Sequence, residues 1–143
     1  MRLSDQPEYR VAIPASHSGD FATARANLET LVSRARSEGD IQTASYLLQV
    51  LGDVEARAGN IELAHSLHKE GLALDPGSPL PLLHYAKGLL RAFKRPDLAL
   101  SRLAEAEALL TSGNWRPGES EMSRDWYETE FNELRNEIVR QKP

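Results

Sequence analysis

The chain has 143 residues, with 17 Lys and Arg against 21 Asp and Glu and a formal net charge of −4. That length suffices for one domain with a real core, and the acidic balance argues against a phosphate-backbone binder, which normally carries a basic face. Cysteine is absent, which excludes disulfides and thiolate metal sites and fits a reducing compartment.

The N-terminal stretch MRLSDQPEYRVAIP has no apolar run of signal-peptide length, and no later stretch is apolar enough to span a bilayer. The expectation is a cytoplasmic protein with neither a membrane nor a nucleic-acid partner. β-branched and aromatic residues are sparse and no segment alternates for long, so the fold class is all-α. Residues 1–18 read as a loosely ordered arm, because Pro7 and Pro14 sit too close together for a long helix between them and Ser16 to Gly19 look like a loop. A single domain is expected over 19–143.

Asp20 is a good N-cap for a helix reaching about Glu38, with the apolar stripe Phe21, Ala24, Leu28, Leu31 and Ala35. Gly39 suits a C′ position, and Asp40 opens a helix over roughly 41–57 in which Leu47, Leu51, Val54 and Ala58 recur at helical spacing. Gly59-Asn60 ends it, and a helix over 61–74 follows until Asp75-Pro76-Gly77. Pro79 and Pro81 fit the first turn of the next helix, whose stripe is Leu82, Ala86, Leu89 and Phe93. After the turn at Lys94 to Asp97, Ala99, Leu103, Ala106 and Leu110 mark another helix. A polar break from Thr111 to Gly118 precedes the last one, over about 119–141, with Tyr127, Phe131, Leu134 and Ile138 inward and the rest densely charged, as a capping helix would be. Trp115 and Trp126 are expected to lock this last loop and helix onto the preceding helix rather than stand exposed.

Ala24, Ala64 and Ala99 fall at equivalent places, 40 and then 35 residues apart, which is helix-pair spacing. Leu48, Leu51, Gly52, Ala64, Gly71 and Pro76, and after them Leu82, Tyr85, Ala86, Ala99, Leu103 and Ala106, resemble the pattern of the tetratricopeptide repeat (TPR) family. The resemblance covers residues 20 to 112. It implies a right-handed superhelical stack of antiparallel helix pairs, about six helices in all. Repeats would fall at 45–78 and 79–112, with a partial repeat at 19–44 and a capping helix at 119–141. Glu55 and His68 depart from the pattern, standing where an aromatic and a bulky apolar residue are usual, and Thr111 stands where proline would close a repeat.

The resemblance also implies a concave groove, lined by the first helix of each pair, that takes a protein or peptide partner. By position it would use Tyr46, Gln49, Val50, Asp53 and Arg57 from one helix and Leu83, His84, Lys87 and Arg91 from the next. Lys87 and Arg91, four apart, could together meet an acidic side chain or a C-terminal carboxylate, although a solvated charged face explains them too. The alternative is a self-associating, homo-oligomeric module. It rests on the expectation that the helix after Asp20 lacks its partner helix, so that a second subunit or the N-terminal arm would cover its apolar edge. His65, His68 and His84 could in principle approach zinc, but their register sets the rings apart and no metal or other cofactor is expected. With no GxSxG, P-loop or HExxH and no thiol, the chain does not read as an enzyme.

Overall fold

A computed structural model describes residues 1–112 and 123–141. Among them lie seven α-helices and no strand: α1 Pro7–Ser18, α2 Phe21–Ser37, α3 Ile41–Arg57, α4 Ile61–Leu74, α5 Pro79–Arg91, α6 Pro96–Ser112 and α7 Arg124–Gln141. The all-α expectation holds. No described helix is long and apolar enough to cross a membrane. By its internal contacts the chain divides into two compact units, Met1–Leu74 and Asp75–Pro143.

In the first unit α1 packs on α2, α2 on α3, and α3 on α4. The loose arm expected over 1–18 is instead a short 3-10 turn, Leu3–Asp5, followed by α1. Pro7 occupies the first turn, where a missing N–H costs little. Pro14 lies inside the helix, at a cost of about 3 kcal/mol against alanine. Tertiary anchors offset that cost. Ala12 is fully buried, Arg34 of α2 grips Glu8 with two hydrogen bonds of 2.6 and 3.0 Å, and Met1, Leu3 and Tyr9 pack on the core. That core is built from Ala24, Leu28, Leu31, Ala35, Ala44, Leu47, Leu51 and Val54.

The same turn joins these helices three times. Gly19, Gly39 and Gly59 take left-handed φ values of 87°, 72° and 92°. The N–H groups of Asp20, Asp40 and Asn60 each reach back to the carbonyls of Ala15, Ala35 and Glu55, at 2.8–2.9 Å. This is the Schellman closure. Its last residue also begins the next helix: Asp20 accepts from Thr23 N–H at 3.3 Å and Asp40 from Thr43 N–H at 3.2 Å. In the second unit the turn after α5 is one residue longer, and Lys94 takes the left-handed conformation at φ 59°.

α3 and α4 meet closely because each carries a glycine at the contact. A Cβ on Gly52 would lie 2.6 Å from His68 Cδ2, and one on Gly71 would lie 3.0 Å from the Ser45 carbonyl oxygen. In the second unit α5 packs on α6, and α7 packs on α6 and touches α5. α7 buries Tyr127, Phe131, Leu134 and Ile138, the stripe expected for the last helix, and Trp126 sets its ring edge-on to Tyr127 at 5.1 Å. The expected start of that helix at Glu119, and the role given to Trp115, lie outside the described residues.

Gly52→Ala and Gly71→Ala should each destabilise the chain by about 1–3 kcal/mol in urea unfolding, because overpacking outweighs alanine's higher helix propensity of about 1 kcal/mol. A midpoint unchanged or raised in both variants would mean that the helices have room to spare.

Candidate functional site

The residues expected to line a groove fall in both units. Tyr46, Gln49, Val50, Asp53 and Arg57 lie on α3, while Leu83, His84, Lys87 and Arg91 lie on α5. Two of the nine do not face solvent. Gln49 is 1% exposed and Leu83 fully buried. On α3, Tyr46, Val50 and Asp53 are half-buried and Arg57 is exposed.

Gln49 turns inward because α4 offers it polar partners. Its Nε2 donates to the His68 carbonyl at 3.1 Å, which leaves Oε1 to accept from His68 Nδ1. One turn earlier, Ser45 Oγ donates to the Gly71 carbonyl at 2.7 Å. One turn later, His68 Nε2 lies 3.1 Å from Asp53 Oδ1. A polar seam therefore runs along α3 through Ser45, Gln49 and Asp53, with His68 fully buried against it. An unpartnered buried polar group costs about 1–3 kcal/mol, so the bonds of Ser45 and Gln49 hold α3 to α4 in one register, while Asp53 Oδ1 makes no hydrogen bond. The resemblance gave Gln49 to a groove and marked His68 only as a departure from the repeat pattern. The signal that would have found the seam is the pair Gly52 and Gly71, which brings two helices too close for large side chains at those positions.

Asp53 is the member that also reaches the surface. Its side chain is 32% exposed while Oδ1 is buried. Tyr46, two turns earlier on the same face, has its hydroxyl 3.3 Å from that of Tyr9 on α1. Burial raises the ionisation of Tyr46 well above the usual phenol value, helped by Tyr9, and it remains a neutral phenol.

On α5 the two cations already have partners. Lys87 Nζ donates to Glu130 Oε1 at 2.8 Å, and Arg91 holds both carboxylate oxygens of Glu137 at 2.9 and 3.1 Å. Both glutamates belong to α7, and both are held below the ordinary carboxylate range, first by these hydrogen bonds. The carboxylates that Lys87 and Arg91 hold are thus internal to the chain. His84 is half-buried. Among the described residues no three metal-ligating side chains come together.

Glu55, which departs from the repeat pattern, is 1% exposed and takes two hydrogen bonds of 2.6 and 2.7 Å from Arg25 on α2, plus one of 3.2 Å from Asn60. An ion pair stands where an aromatic ring would, joining α2 to α3. Arg25 holds the Glu55 carboxyl below its ordinary value of 4.5, against the opposing effect of burial.

No protein-family model matches the chain, nor does any curated protein or solved structure to a significant degree.

Because the folded carboxyls of Glu55 and Glu8 lie below the ordinary 4.5, Glu8 at about 2, their stabilisation is full above that value. It is lost as pH falls through the folded values. Unfolding midpoints should therefore drop between about pH 5 and pH 2, and Glu55→Gln should lower stability at pH 7 by about 1–3 kcal/mol and flatten that acid limb. An equally steep limb in the variant would remove Glu55 from the account.

Proposed function

We propose that the chain is a protein- or peptide-binding adaptor of the tetratricopeptide-repeat kind, a right-handed superhelical stack of helix pairs closed by α7. Its recognition surface is made by the first helices of the pairs, and a cytoplasmic location goes with this reading. Three observations support the repeat assignment. Helices pack in sequence-adjacent pairs, Ala24, Ala64 and Ala99 are all fully buried on the second helices, and α1 supplies the pair-mate for α2 that the sequence seemed to lack.

The observation that carries the function is the outer face of α3. Tyr46, Val50, Asp53 and Arg57 sit four, three and four residues apart, a stripe about 16 Å long at 1.5 Å per residue. The opposite face of α3 is locked into the core by Leu47, Leu51 and Val54 and by the polar seam. A rigid helix presenting a half-buried phenol, an aliphatic side chain and a carboxylate is suited to hold a peptide with little ordering cost. For the alternative reading, self-association, the packing of α1 on α2 favours the N-terminal segment over a second subunit as the cover of α2's apolar edge.

A random peptide library displayed on phage and selected on the full chain should yield binding peptides. Tyr46→Ala with Val50→Ser should weaken their binding about 10-fold or more, with the helical circular dichroism unchanged. Absence of any enriched peptide, or equal binding by the double variant, would refute the adaptor reading.

A further inference from the structure

We infer that Tyr9 of α1 is a positioning residue of the α3 surface: its hydroxyl holds the Tyr46 ring in the place from which that ring meets a peptide. This rests on the peptide-binding reading above and extends the recognition surface from one helix to two.

Two observations carry it. The first is the contact itself. The Tyr9 and Tyr46 hydroxyls lie 3.3 Å apart and share a hydrogen bond. α1 and α3 each pack on α2, and the two phenols join them directly. A tyrosine side chain has two torsions, the outer one broad, and a bond at the tip of the ring restrains both.

The second is that Tyr9 is itself anchored from behind. It is half-buried and packs on the core of the first unit, as Val50 does. On one side in sequence, Arg34 of α2 donates to both carboxylate oxygens of Glu8 at 2.6 and 3.0 Å and to Gln6 Oε1 at 2.7 Å. On the other side, Ala12 is fully buried in that same core. Tyr9 is thus fixed from both directions, and its hydroxyl passes the restraint to Tyr46. A side chain already held in place loses less freedom when a partner arrives. The segment that reads in the sequence as a loose arm is, on this account, part of the recognition surface.

The test measures synthetic copies of the peptides enriched from the displayed library against the full chain and against Tyr9→Phe, Tyr46→Phe and the double variant. Tyr9→Phe keeps the ring and removes the hydroxyl. It should weaken binding about 3-fold, the scale of one neutral hydrogen bond, with the helical circular dichroism unchanged. In the Tyr46→Phe background the same change should add nothing, because the bond is already gone. The Cζ resonance of 13C-labelled Tyr46 should shift in Tyr9→Phe. A residue that only docks α1 would weaken binding by one factor whichever residue stands at 46. That outcome, or peptides lost on Tyr46→Ala with Val50→Ser yet bound equally by wild type and Tyr9→Phe, would overturn the positioning role and leave the adaptor reading intact. No enriched peptide would overturn both.

Discussion

The contact between α3 and α4 constrains the first unit. Glycine at 52 and at 71 lets two helices approach until only small or hydrogen-bonded groups fit between them, and a polar ladder fills the gap where an apolar core would otherwise stand. Such a ladder has one satisfied register. Moving α4 by a turn would part Gln49 from both the ring and the carbonyl of His68 and leave the Ser45 hydroxyl facing the wrong residue. Apolar seams tolerate sliding because any alkyl surface covers another, whereas a hydrogen-bonded seam penalises each unmade bond. The direction in which Tyr46, Val50 and Asp53 point is set from behind by this register.

Charge plays a different part in each unit. Between helices of the first, Arg34 meets Glu8, Arg25 meets Glu55 and Arg36 meets Glu70. In the second, Lys87, Arg91 and Arg135 meet Glu130, Glu137 and Glu107. Exposed pairs of this kind contribute less than about 1 kcal/mol each. Burying a side chain such as Phe131 or Ile138 contributes roughly 1.5–3 kcal/mol. Apolar burial therefore holds α7 in place, and the ion pairs choose its azimuth and direction. Arg25 and Glu55 are the exception, since the carboxylate is buried and each oxygen is hydrogen-bonded.

Helix positions were legible wherever a breaker and a periodic stripe coincided. α3 and α4 occupy the expected 41–57 and 61–74, because glycine, cap residue and apolar spacing agree there. α1 was not legible. Pro14 is a local signal against helix, and the contacts that override it, Glu8 with Arg34 and Tyr9 with Tyr46, are remote in sequence. The site divides in the same way. Spacing placed Tyr46, Val50, Asp53 and Arg57 on one face of α3, but it could not show that Gln49 turns toward His68 or that Lys87 and Arg91 are engaged by α7. Both facts depend on which helix lies alongside, and periodicity within a helix carries no record of its neighbours.

The shared residue in the turns at Gly19-Asp20, Gly39-Asp40 and Gly59-Asn60 has a further consequence. Because Asp20 and Asp40 close one helix through the backbone and open the next through the side chain, no slack residue lies between consecutive helices. Adding one residue there would rotate the following helix by about 100°, at 3.6 residues per turn, and swing its buried stripe toward water. Length variation is thus forbidden at these three joints. The joint at Lys94, one residue longer and left-handed without glycine, is built differently and does not share that constraint.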